Sequence, residues 1–266
     1  MNSPGTVRRA ATARERARAE LTREIKEEAR RQLGSTGADG LSLRAVAREL
    51  GMVSSALYRY YPSRDDLLTA LIIDAYNSLG DAADLAIAGT APAAGPGLAA
   101  GPGLAAGPVP ARERWTAACH AIRDWARANP HEYALIYGSP VPGYRAPEAT
   151  IGPAGRVPLA FAGVIGDALA SGELASPPEA LPVTGTLFEQ AAVLSATLAG
   201  PAGPAESPGS AAVVPPDALV RAMIAWTQLY GMISFELFGQ FVGSFEPADA
   251  LFAYAVAQLT AFVGLR

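Results

Sequence analysis

The chain has 266 residues, half of them hydrophobic, which excludes a chain disordered throughout and leaves room for two modules. Its one cysteine, Cys119, excludes an intramolecular disulfide, and no charged segment followed by an apolar run opens it as a secretory signal would, so a reducing cytoplasm is expected. The formal net charge of -4 conceals a split: residues 1–64 hold 13 Lys and Arg against 7 Asp and Glu, while residues 65–266 hold 8 against 18. A head of +6 on a body of -10 is the footprint of a small polyanion-binding module carried by a larger domain.

In chain order, residues 1–16 with Arg8, Arg9, Arg14 and Arg16, followed by Arg18, predict a disordered basic arm. Two uses stay open for it: contact with a minor groove or phosphates, or a solvated tail with no fixed role. Ala17, Leu21, Ile25, Ala29 and Leu33 recur every fourth position, which predicts a helix with one narrow apolar stripe, stopped by Gly34 and Gly37. Ser42 precedes Leu43, Val46, Ala47 and Leu50 at i, i+3, i+4, i+7 spacing, so it is the expected N-cap of a second helix that Gly51 ends. After a three-residue turn, Ser54 to Tyr61 allows one short helix before Pro62. Ser63 then caps a longer one, with Asp65 and Asp66 in its first turn and Leu67, Leu68, Leu71, Ile72, Ala75 and Leu79 on its apolar face.

Residues 89–110 contain GPGLAA twice and few long apolar side chains, so the stretch cannot offset its own ordering entropy and is expected to be a flexible loop. Further Pro- and Gly-rich breaks lie at 138–158 and 200–216. Between the breaks, helices are predicted over 111–129, through Tyr133 and Tyr137, and over 159–170 and 186–198. Two long helices, 217–241 and 247–265, are apolar on nearly every side. No alternating strand pattern competes, so the fold class is all-α: a three-helix head with a helix-turn-helix, residues 17–64, and a helical body, 65–266.

Enzyme chemistry finds little purchase. His120 and His131 stand without CxxC, HExxH or a partnered carboxylate, and no GxSxG, Walker or dinucleotide fingerprint occurs, so no metal, cofactor or catalytic role is expected.

The second and third helices with their tight turn read as a helix-turn-helix. With Leu57 and Tyr61 on the inner face at i and i+4, Ser55, Tyr58 and Arg59 point outward, where serines and an arginine reach base edges. Tyr58, Tyr60 and Arg64 offer donors to phosphate oxygens. The stretch LSLRAVARELGMVSSALYRYYPSRDDLL resembles the DNA-binding module of TetR-family transcriptional regulators over about residues 15–70. The resemblance implies that Arg44 is a base or phosphate contact, that Ser54, Ser55, Ala56 and Arg59 face the groove, and that Tyr58, Tyr60 and Arg64 grip the backbone. One departure is Val53, where the family usually carries a serine-like cap; it moves the expected cap to Ser54.

In the body, WTQLYGMISFELFG resembles the tryptophan-and-glycine signature of one subgroup of these regulators, with Tyr230 where that subgroup often has histidine. A helix apolar all round must be covered on both faces, so the last two helices are expected to form a homodimer seam, whose twofold symmetry suits two half-sites one DNA turn apart. Glu236, Gln228 and Gln240 argue against a membrane span. Trp115, Cys119, Trp125, Tyr133, Tyr137 and Trp226 are the expected lining of a small-molecule site, although aromatic residues at helical spacing equally make plain core. By resemblance, an effector there would shift the helix after Ser63 and release the DNA. Two functions follow: a ligand-released repressor, or a ligand-independent dimeric architectural DNA-binding protein.

Overall fold

The computed structural model describes residues 4–89, 109–199 and 213–266, so most of the expected loop at 89–110 and of the break at 200–216 lies outside the described residues. Among these residues ten α-helices and one 3-10 turn carry the fold, with a single antiparallel bridge between Leu174 and Leu265. The chain divides into two compact units, residues 1–76 with 129–151 and residues 77–128 with 152–266.

The first unit contains α1 (Pro4–Thr36), α2 (Leu43–Glu49), α3 (Ser54–Leu57), the start of α4 (Arg64–Ile87) and α6 (Pro130–Tyr137). Helix α1 begins at Pro4, so most of the expected disordered arm is helical. Pro is suited to the first helical position, and alanine, arginine and glutamate, all strong helix formers, fill the stretch up to Gly34. Only the later part of the predicted stripe, Ile25, Ala29 and Leu33, reaches the core; Ala17 is exposed and Leu21 half-buried. Ser42 caps α2 as expected, its hydroxyl accepting from the Ala45 amide at 3.4 Å. Gly51, at φ +65°, turns the chain so that Met52 N–H reaches the Ala47 carbonyl at 2.8 Å. Ser63 and Asp66 cap α4 reciprocally, the Asp66 amide donating to Ser63 Oγ at 3.1 Å and that hydroxyl to Asp66 Oδ2 at 2.7 Å.

A charged chain of contacts joins three helices of this unit. Lys26 Nζ and Arg30 Nη2 both hold Asp74 on α4 at 2.8 Å, and Arg30 Nε reaches Glu132 on α6 at 2.9 Å. Helices α1 and α6 meet at Gly34, where a Cβ would stand 3.2 Å from the His131 ring.

The second unit contains the rest of α4, α5 (Ala111–Ala128), α7 (Ile151–Ser171), α8 (Gly185–Ala199), α9 (Pro216–Leu237) and α10 (Asp249–Val263). Helix α7 corrects the expected break at 138–158: it starts eight residues before the predicted 159, with Pro158 inside it. Tertiary anchoring overrides the proline cost here. Arg156 donates to the Asn77 carbonyl at 2.8 Å and to Asp81 and Asp84 at 2.7 Å, tying the early turns of α7 to α4. Helix α9 stops at Leu237 rather than 241, because Gly239 adopts φ +76°. At the end of α10 Gly264 takes φ +101°, and a Cβ there would collide with the Ala175 carbonyl.

The deepest charge in this unit is Arg123, 4% exposed. It clamps Glu236 through Nε and Nη2, both at 2.7 Å, and Asp249 at 3.0 Å, with its guanidinium 4.7 Å from the Phe252 ring centroid. One side chain thereby joins α5, α9 and α10.

Candidate nucleic-acid interface

Helix α3 is a single turn held from beneath. Leu57 is fully buried and Tyr61 nearly so, in a cluster with Val46, Ala47, Leu67 and Leu68. Burial pushes the Tyr61 hydroxyl above its ordinary pKa, as suits a core phenol. The chain continues past Leu57 as turns, with Tyr60 N–H donating to the Leu57 carbonyl at 2.8 Å, so the predicted helix to Tyr61 is shorter than expected; Pro62 prevents its extension. The expected shift of the cap to Ser54 does not occur. Val53 itself is the N-cap, makes no side-chain hydrogen bond and is 70% exposed.

This anchoring turns the intended contact residues outward. Ser55, Tyr58 and Arg59 are exposed, Ser54 and Ala56 half-buried, and Arg44 on α2 exposed. Neither Arg44 nor Arg59 pairs with a carboxylate among the described residues, whereas Arg23, Arg30 and Arg31 on α1 all do. Tyr60 is half-buried, with the Arg18 guanidinium 5.7 Å from its ring centroid.

Arg64 departs from its expected backbone-gripping role. Its Nε and Nη2 donate to the carbonyls of Leu41 and Ala38, at 3.2 and 2.7 Å, bracing the α1–α2 connection against α4. Both carbonyls lie in the connection between α1 and α2, where the Ala38 oxygen also accepts from the Leu41 amide at 3.3 Å, and the five-donor guanidinium reaches the two at once. Nothing in the sequence pattern distinguishes that role from a phosphate contact, because the acceptors come from a loop 23 and 26 residues away.

The six expected ligand-lining residues fall into separate groups. Tyr133 and Tyr137 belong to the first unit, where Tyr137 packs edge-on to Tyr76 at 6.1 Å and Tyr133 lies 5.2 Å from Tyr137. Trp115, Cys119, Trp125 and Trp226 belong to the second. There Trp115 packs tilted against Phe161 at 4.3 Å, Trp125 Nε1 donates to Ser78 at 2.9 Å, and Trp226 meets Tyr230 at 5.4 Å. Cys119 is buried, and desolvation pushes its thiol far above its usual range, which leaves it an inert core group. A cavity of about 670 Å³ between α9 and α10 is lined by none of the six, but by residues including Met232, Phe235, Phe241, Leu251 and Tyr254.

Residues 25–71, spanning this core from Ile25 to Leu71, match the family described as bacterial regulatory proteins, tetR family. Residues 115–259 match the tetracyclin repressor-like C-terminal domain, more than half of the chain. The chain belongs to the TetR family. It is 38% identical over 230 residues to the HTH-type transcriptional regulators Rv1816 of Mycobacterium tuberculosis and Mb1846 of Mycobacterium bovis, a match covering 85% of this chain and 84% of theirs. The crystal structure of SCO4313 is 34% identical, with a TM-score of 0.65 and coverage of 92% of this chain and 97% of that one. A protein of unknown function from Rhodococcus sp. RHA1, 22% identical, shares the fold at a TM-score of 0.61 over 92% of this chain and 95% of its own. This TetR-family chain is thus a DNA-binding transcriptional regulator and not an enzyme. Among its described residues no helix is long and apolar enough to cross a membrane.

Proposed function

We propose that this regulator is a homodimeric repressor, acting in the cytoplasm, that leaves its operator when a small apolar or aromatic effector enters the body. The observation that carries the DNA side is the pairing of a buried Leu57–Tyr61 anchor with outward, carboxylate-free Arg44 and Arg59 and exposed Ser55 and Tyr58. Ser54, Ser55, Ala56 and Arg59 face the bases, while Tyr58 and Tyr60 hold phosphates. In the body, Met223, Ile224, Phe235, Phe238, Tyr254 and Phe262 are exposed along α9 and α10, a face that a second copy would cover. Among the described residues nothing lies within 4 Å of where a Gly231 Cβ would be, which lets a partner helix approach closely. On the effector side, Trp115 Nε1 and Trp226 Nε1 are buried donors without an acceptor among the described residues, ready to hold a ligand oxygen.

Tyr58→Phe and Arg44→Ala should each weaken operator binding about tenfold without lowering the melting temperature, measured by electrophoretic mobility shift beside a thermal melt. Unchanged affinity in both variants would reject the contact assignment. A thermal-shift screen of small aromatic compounds, followed by a release assay on operator DNA, tests the effector. Hits that stabilise the protein yet leave the complex intact would favour the architectural reading.

A further inference from the structure

The part of α1 before Leu21 is out of place as core. Residues 14–20 are all exposed, so this part of the helix buries no face against the head. Arg14, Ala17, Arg18 and Leu21, at i, i+3, i+4 and i+7, instead form one wall of a groove of about 470 Å³ facing α3. Its cations are Arg14, Arg18 and Arg59, and no acidic side chain lines it. None of the three pairs with a carboxylate among the described residues. Leu21 and Met52 provide apolar surface, and Tyr60 lines the groove with its ring under the Arg18 guanidinium. An apolar floor with a cationic rim matches the two chemistries of a nucleic-acid backbone, apolar sugar carbons alternating with phosphodiesters of one negative charge.

We infer that this groove is a phosphate clamp, in which Arg14 and Arg18 on α1 hold the DNA backbone beside the major groove that α3 enters, while Arg59 at its edge stays turned to the bases. The clamp rests on the reading of the head as a DNA-binding module, and it makes α1 a third DNA-contacting element. Stacking on Tyr60 pre-orients Arg18, so less side-chain freedom is lost when the phosphate arrives. The contact carries no sequence information, and its signature is therefore electrostatic.

The full-length protein is titrated by fluorescence anisotropy from about 50 to 200 mM salt against two duplexes of about 30 base pairs. One is selected by the wild type from a random library and the other is of mixed sequence. Replacing Arg14 and Arg18 together by alanine should weaken both complexes by a similar factor, about tenfold at the lower salt, and reduce the slope of log affinity against log salt by about 1 to 2. Arg16→Ala removes the same charge from the opposite side of α1 and should leave most of the slope intact, while the double lysine variant R14K/R18K should restore it. An unchanged slope in R14A/R18A, an equal loss in R16A, or a failure of the lysine pair to restore it would overturn the clamp while the wild type's own binding keeps the regulator reading intact. A wild type that binds neither duplex would overturn both.

Discussion

Arg64 and Val53 show how much one side chain near the recognition turn decides. Arg64 satisfies two loop carbonyls, so Arg64→Ala should cost about 1–3 kcal/mol in a denaturant melt, discounted toward the lower end because the side chain is 30% exposed, and leave the salt dependence of DNA binding unchanged. Val53 already has the extended backbone of an N-cap, φ -71° and ψ 137°, but no oxygen with which to accept from α3. Val53→Ser supplies one and should stabilise the protein by about 1 kcal/mol, read as a rise in melting temperature of about 2–4 °C. Both residues stand within a few positions of Tyr58 and Arg59, and both bear on the platform that presents them. The sequence placed Val53 correctly as the oddity of the turn. It offered the Arg64 donors to phosphate oxygens, and only the 2.7 Å contact to the Ala38 carbonyl reveals their protein partner.

Helices are coupled here through a few charged side chains. In the second unit Arg123 is the buried partner of Glu236 on α9 and Asp249 on α10, with the more exposed Arg127 reaching both at longer range, and Arg123→Met should destabilise this unit by about 3 kcal/mol, because Glu236, 18% exposed, loses its main partner. The same clusters set the acid response. Hydrogen bonding and charge from Arg123 hold the Asp249 carboxyl below its ordinary pKa. At Asp217 burial works to raise the value, but the Arg221 guanidinium, the Ala218 amide and the Ser176 hydroxyl together bring it below the usual one. Since both folded values lie under the unfolded ones, the stability they add is complete above the unfolded carboxylate range and is lost as pH falls through it toward the folded values. Thermal melts should therefore hold steady from neutral pH to about 5 and drop below about 4, with Asp217→Asn reducing that acid sensitivity. In the first unit the Lys26, Arg30, Asp74 and Glu132 chain links α1, α4 and α6, and Arg30→Ala severs both of its arms at once.

At the scale of the whole molecule, a chain with net charge -4 binds a polyanion because its charges are segregated. The exposed apolar face of α9 and α10 should make stability depend on protein concentration, since a dimer is favoured by mass action. Phe235→Asp, on that face and 54% exposed, should yield a monomer in sedimentation equilibrium and lower operator affinity at least tenfold while the monomer stays folded. A dimer undiminished by this substitution would move the subunit contact elsewhere.

Local chemistry alone settled much of this protein. The turn glycine Gly51, the caps Ser42 and Ser63, and the apolar spacing within each of α2 and α4 made the helix-turn-helix legible, because each of these signals acts within about one or two turns of chain. Contacts between residues distant in sequence followed other rules. Arg156 carried α7 through Pro158, Arg64 turned to the carbonyls of 38 and 41, the expected ligand aromatics divided between two units, and Arg14 and Arg18 came to face Arg59. Charges and aromatic rings take whichever partner the assembled fold presents, and periodicity along a single helix holds no record of it.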